Sequence, residues 1–233
     1  MTVLAAAQAA GQLLLGRKPG SLFGSDPFGL ELGVLANEAA LAIAEYHDWQ
    51  KLKILKTEPG NGVAIAFNLP TDYGRMLKKP VIHSSTWRNA NYRQARDEDE
   101  WIYLQDTNIS GTPGVWIMLG GQLQIFPPMP ASENARYYYI SNKLVATSDG
   151  AAGSKASFTA DGDAFVLSER LLKLALMWRW RSLKRMEYSE DLTNYEIALA
   201  EEVTKDRPRP PLVAGRQRVP TEASMAYPGT IVP

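Results

Sequence analysis

The sequence predicts an α+β fold: a helical bundle of two N-terminal and two C-terminal helices, a β-rich insertion between the pairs, and an extended C-terminal arm. Three observations predict it. Apolar residues recur at helical spacing from Phe28 to Trp49 and again from Leu167 to Val203. Between Leu52 and Ser141, short apolar runs are broken by glycine, proline and asparagine, as in strands and turns. From Asp206 to Pro233, six prolines occur with almost no apolar periodicity, and such a segment does not bury enough surface to offset its own ordering. The implied units are residues 1–51, 52–154, 155–205 and 206–233.

Val3 to Leu15 reads as the first helix, with Thr2 as N-cap, Gly16 at its end, and an apolar face around Leu4, Ala7 and Leu14. This opening run lacks a preceding basic segment, and Gly11 and Gly16 interrupt it too early for a bilayer span. It is therefore expected to be a helix of the mature protein, with no membrane partner. After a glycine- and serine-rich connection, Asp26-Pro27 opens a second helix with an acceptor at the cap and proline in the first turn. Phe28, Leu32, Leu35, Ala39, Ala42, Tyr46 and Trp49 give it one apolar face. In the insertion, Val115 to Pro127 carries Gly120-Gly121 between two apolar runs and predicts a tight hairpin. Arg136 to Ile140, with Tyr137, Tyr138 and Tyr139, predicts another strand, and Asp97 to Leu104 reads as a short helix or a turn. Asp149 to Ser154 is expected to end the insertion as an exposed loop. Helix returns from Ser168, a cap residue, to Lys184 or Arg185. Leu167, Leu171, Leu174 and Trp178 make one face, while Leu172, Leu176 and Leu183 continue round it, which places this helix centrally or at a subunit interface. A last helix from about Ser189 to Lys205 turns Leu192, Tyr195, Leu199 and Val203 to the core.

Composition narrows the chemistry. Lysines plus arginines equal aspartates plus glutamates at 25 each, whereas a general nucleic-acid binder is usually basic. The chain has no cysteine, which removes disulfides, thiolate catalysis and cysteine-based zinc sites. His47 and His83 are the only histidines, too few for a multi-histidine metal site, so neither metal nor cofactor is expected.

No residue set rises to a catalytic constellation, and the chain is read as a non-enzyme. Glu98, Asp99 and Glu100 are adjacent carboxylates on a polar run, whereas acid–base work needs two in opposed environments across a cleft. His47-Asp48 lacks a nucleophile in register and closes the second helix, where an imidazolium would complement the helix dipole. Gly120-Gly121 lacks the strand-to-helix setting and lysine of a phosphate loop. Trp178 and Trp180 alternate with Arg179, Arg181, Lys184 and Arg185 like a stacking surface for single strands. Yet positions two apart on a helix point about 200° from each other. Trp178 is expected in the core, with Trp180, Arg181, Lys184 and Arg185 as candidates for a seam with a neighbouring subunit.

The arm carries Arg207, Arg209, Arg216 and Arg218 against Asp206 and Glu222, and so is +2 while the rest of the chain is −2. Polyproline-like extension gives it a reach of roughly 85 Å. Leu212, Val213, Met225 and Tyr227 offer spaced apolar anchors, so the arm reads as a segment that binds a partner.

The segments HDWQ (47–50), GGQLQIFP (120–127), YYYIS (137–141) and KASFTADGDAFVLSERLLKLALMWRWRSLKRMEYSEDLTNYEIAL (155–199) resemble the head-to-tail adaptor proteins of tailed bacteriophages, some of which are called tail tubular or tail accessory factors. The resemblance implies a structural virion protein of the neck, made in the host bacterial cytoplasm. It implies a twelve-fold homo-oligomeric ring beneath the portal protein, a tail nozzle or tail-tube/stopper protein on the other side, and genomic double-stranded DNA passing through the lumen. It also implies that the C-terminal extension docks on the portal, which makes Arg207, Arg209, Leu212, Val213, Arg216, Arg218, Met225 and Tyr227 the expected portal-binding set. The alternatives are a virion-associated peptidoglycan hydrolase, which would need two separated carboxylates in a cleft, and a nucleic-acid-binding module, which would bind DNA in a salt-dependent way.

Overall fold

The computed structural model describes residues 2–87, 90–107, 111, 113–147 and 153–207. Two helices come first, α1 (Val3–Leu15) and α2 (Pro27–Tyr46). A strand-rich stretch follows: β1 (Lys53–Pro59), β2 (Ala66–Asn68), β3 (Tyr73–Met76), β4 (Ile82–Ser84), β5 (Asn91–Gln94), helix α3 (Glu98–Asp106), β6 (Val115–Leu119), β7 (Gln122–Phe126), β8 (Asn134–Ser141), β9 (Val145–Ala146) and β10 (Ala164–Phe165). Helices α4 (Glu169–Leu183) and α5 (Ser189–Asp206) close the described chain. The α+β class is as the sequence predicts, with α3 settling the helix-or-turn alternative at Asp97 to Leu104. The expected loop from Asp149 to Ser154 lies largely outside the described residues.

Local chemistry explains both ends of α1 and less of the other helix ends. The Thr2 hydroxyl accepts from the Ala5 amide, and Gly16 ends α1 at φ 67°, a left-handed conformation that glycine adopts without strain. Pro27 opens α2, but the Asp26 carboxylate does not cap it; both its oxygens take hydrogen bonds from Arg17, at 2.7 and 2.8 Å. Ser168 likewise stands at the start of α4 without a side-chain cap bond. The loop before α2 crosses directly over it at Gly29, where a Cβ would stand 2.1 Å from the Ser21 carbonyl oxygen.

Helix α4 contacts α1, α2 and α5, and the largest core forms around it. Leu32, Ala36, Ala39 and Ile43 of α2 meet Leu171, Leu172, Ala175 and Leu176 of α4, with Ala6, Ala7 and Ala10 from α1 and Tyr195, Ala198 and Leu199 from α5. Alanines let the helix axes approach closely, and each larger aliphatic side chain fully buried here contributes about 1.5–3 kcal/mol. The buried face of α2 is rotated from the predicted one: Phe28, Leu32 and Ala39 are inside, Leu35 and Ala42 are half-buried, and Tyr46 is exposed. Leu183, predicted to extend the apolar surface of α4, is exposed as well.

The main sheet runs β1-β8-β4-β5-β6-β7-β2, with β3 also paired to β8. All pairs are antiparallel except β5 with β6. Parallel neighbours need a crossover, and α3 lies on it, fixed by Trp101 against Phe126 and by a small core of Ala95, Val115 and Ile117. The predicted hairpin is β6–β7, where Gly120 and Gly121 form the two-residue turn at φ 60° and 73°. On the opposite sheet face, Ile82, Tyr92, Trp116, Leu123, Ile125 and Tyr137 make a second core.

Residues 153–167 bind back onto the first two helices. Asp163 is 1% exposed; its carboxylate takes bonds from Lys155 Nζ at 3.0 Å and from the Thr159 and Ala160 amides at 2.9 and 3.0 Å. Its own carbonyl accepts from the Val3 amide. Asn37 on α2 exchanges two hydrogen bonds with the Phe158 backbone. The segment thereby ties the first turn of α1 to the middle of α2.

Candidate assembly interface

The root of the C-terminal arm is a junction of three elements. Asp206 is the last residue of α5, and Arg207 is its exposed C-cap. Asp206 Oδ2 accepts from the Gln50 amide at 2.9 Å and lies 3.6 Å from His47 Nε2. His47 ends α2. Next to it, Asp48 accepts from Arg75 Nη1 at 2.6 Å and from the Lys78 amide at 3.0 Å, while Arg75 Nη2 donates to the His47 carbonyl at 3.1 Å. The ends of α2 and α5 and the strand β3 are thus locked together where the arm departs. The positions Arg209, Leu212, Val213, Arg216, Arg218, Met225 and Tyr227 lie outside the described residues.

His47 corrects the expectation of a charged cap. Desolvation lowers its pKa and outweighs the Asp206 and Asp48 carboxylates, which pull the other way. The ring is therefore held towards its neutral form, and its edge meets Trp49 at 5.2 Å between centroids.

The two indoles of α4 exchange their expected places. Trp180 is 4% exposed and packs edge to face on Phe28; its Nε1 donates to Glu31 Oε2 at 3.3 Å. Trp178 is the half-buried one, ringed by Arg179, Tyr188 and Tyr195. The reason is packing: α4 is enclosed on three sides, so spacing alone does not say which ring has a partner helix above it. Of the cations singled out beside Trp180, Arg181 pairs with Asp191 at 2.9 Å and Lys184 with Glu31 at 2.7 Å. Arg185 is exposed and turns the chain into α5 at φ 55°.

The acidic run forms the first turn of α3, where carboxylates complement the helix dipole. Asp97 caps the helix through the Glu100 amide at 2.8 Å. Glu100 is held by Arg93 at 2.7 Å and by the Arg96 amide at 2.6 Å. These bonds pull its pKa down to about 2, which leaves it an ionised structural anion. Glu98 and Asp99 point outward, exposed, on the same helix face as Ile102, Tyr103 and Asp106. Among the described residues, no cluster of three or more histidines and carboxylates has metal-binding geometry.

Sequence reasoning missed the Asp163 node. Its signal was present in Thr159-Ala160-Asp161-Gly162-Asp163, a turn-forming run whose two aspartates accept backbone amides: Asp163 from its own turn, and Asp161 from Leu22 at 2.8 Å.

The chain matches the SU10 adaptor protein family over residues 1–219. No curated protein matches it.

Proposed function

Because the chain belongs to the SU10 adaptor protein family, a family of phage head–tail adaptors, we propose that it forms a ring between portal and tail that seals the neck and leaves DNA a passage. The family role is structural, in the virion neck, in association with portal and tail components. The finer reading is a twelve-fold homo-oligomer with double-stranded DNA in its lumen and a C-terminal arm that clamps the portal. Arg207, Arg209, Arg216 and Arg218 would pair with acidic portal groups, and Leu212, Val213, Met225 and Tyr227 would fill apolar pockets. Around Arg185, the turn between α4 and α5 is proposed to meet a neighbouring subunit.

The observation that carries this reading is the family match, which spans all of the described body and continues into the arm as far as Val219. The junction at Asp206 supports it, since a clamp transmits load only if its root is fixed to the body. Net charge supports the conduit as well: residues 1–205 carry 21 cations against 23 anions, so the body does not add a strong general attraction that would retain DNA. Many arms released only together make the joint slow to reverse.

The test is a chain truncated after Arg207, supplied in place of the full chain during infection. The expected particles are filled heads that leak DNA and lack tails. Infectious particles at normal yield would show that the arm is not the clamp, and a subunit count of the neck by electron microscopy settles the ring size.

A further inference from the structure

The strand register places two unlike patches on one face of the main sheet. Across β1 and β8, Leu55 stands opposite Tyr138 and Thr57 opposite Arg136; across β8 and β4, Arg136 stands opposite His83. Paired residues share a sheet face, and this face is the reverse of the one that buries Tyr137 and Ile82. Leu55 and Tyr138 are 50% and 47% exposed. The five residues carry no carboxylate, so the patch is apolar with a cationic edge at Arg136.

The second patch lies on α3. Helix α3 covers the same sheet face, since Trp101 packs with Val115, Ile117 and Phe126, whose parity is opposite to that of the inward Trp116 and Ile125. Its solvent side presents Ile102 and Tyr103, 55% and 59% exposed, framed by exposed Glu98, Asp99 and Asp106. None of those three carboxylates forms an ion pair with the described residues. In the strand order, β4 and β5 separate the β1/β8 patch from the strands beneath α3, a step of about 14 Å from β8 to β6 at 4.8 Å per strand.

We infer that α3 of one subunit docks on the Leu55–Tyr138 patch of the next, with Ile102 and Tyr103 against Leu55 and Tyr138 and the α3 carboxylates facing Arg136. The occupant is a second copy of this chain because the two patches complement each other in charge and both bring apolar area. Two α3 helices packed on each other would instead set their carboxylates face to face. The contact is thus heterologous, the kind that closes into a ring when its rotation allows. This inference rests on the ring reading above and names surfaces that would form part of its seam.

The absence of native cysteine makes the test direct. The full chain is prepared with Leu55→Cys, with Tyr103→Cys, and with both; each site is at least half exposed, so the body is expected to fold. Under mild oxidation neither single variant should cross-link to itself, their mixture should give dimers only, and the double variant should give a ladder of covalent oligomers. Adding Arg136→Glu should lower the ladder yield about tenfold, and Glu98→Lys with Asp99→Lys should restore it. Self-dimers of either single variant, or no ladder from the double variant, would overturn the inference. Rings seen by electron microscopy without the cross-link would sink this contact and leave the ring standing, whereas a ladder that never closes would do the reverse.

Discussion

Phe28 at the start of α2 and Trp180 near the end of α4 meet edge to face, with ring centroids 5.8 Å apart and planes at 87°. The indole is buried on that side, and its N–H is satisfied by Glu31. The pair pins the N-terminal helices to the C-terminal ones at the end of the helical part nearest the α4–α5 turn.

Removing that ring should open a cavity. Trp180→Ala should cost the free protein about 3–5 kcal/mol, as other buried aromatic truncations do. Trp178→Ala should cost less, because its ring is only partly buried at the edge of that core. Urea denaturation of both variants checks the ranking, and a larger loss at Trp178 would contradict the placement of the two indoles.

These residues also mark where the sequence is legible. Helix ends were readable because Thr2, Gly16 and Pro27 act through local backbone chemistry, and the Gly120-Gly121 hairpin because its turn demands positive φ at both positions. Which face of α2 or α4 lies inside was not readable. Both helices are apolar around much of their circumference, and the choice depends on partners distant in sequence. The sheet order was equally hidden: β2 and β4 have three residues each, too few to show a period, and β4 finds its place between β8 and β5 only through tertiary pairing. At the candidate interface, the cations after Trp180 were legible as a group, but the pairing of Arg181 with Asp191 and of Lys184 with Glu31 on neighbouring helices was not.

Asp163 should behave as an internal cap. Burial works to raise its pKa, but the bonds from the Thr159 amide, Lys155 and the Ala160 amide outweigh it and leave the pKa below the ordinary 3.8. A carboxylate with a depressed folded pKa stabilises fully above the unfolded value and loses that contribution as pH falls through the folded one. Asp163→Ala, which strands two amides and the Lys155 ammonium, is expected to cost about 2–4 kcal/mol near neutral pH. The difference between wild type and variant should shrink only below about pH 4. Melting curves at pH 7 and pH 3 test this, and an equal penalty at both would refute the charge-based account.

His47 should titrate below its ordinary value of 6.5, because burial disfavours the imidazolium more than Asp206 and Asp48 favour it. The folded state then binds fewer protons than the unfolded one, so this residue's contribution to stability is complete above 6.5 and declines as pH falls from there to the lower folded pKa. Two-dimensional NMR of the ring protons reads that pKa directly. A value above 6.5 would restore the charged cap beside Asp206.

The last expectation separates the arm from its root. Asp206 belongs structurally to the body: its carboxylate takes the Gln50 amide at 2.9 Å, sits beside His47, and completes the final turn of α5. A chain ending at Lys205 should therefore lose about 0.5–1.5 kcal/mol, the net worth of one such hydrogen bond. A chain ending at Arg207 should melt as the full protein does, because the removed residues have the proline-rich, weakly apolar composition of a segment that gains order only on a partner. Both truncations should fail alike in joining heads to tails. Reversing the charge of Arg207, Arg209, Arg216 and Arg218 in the full chain should give a milder, salt-sensitive defect, which added salt relieves by screening the repulsion from acidic partner groups. Calorimetry of the two truncations, beside tail-joining yields at two ionic strengths, makes the comparison. If the chain ending at Arg207 melts several degrees below the full protein, the arm is part of the body's own fold and the clamp must be sought elsewhere.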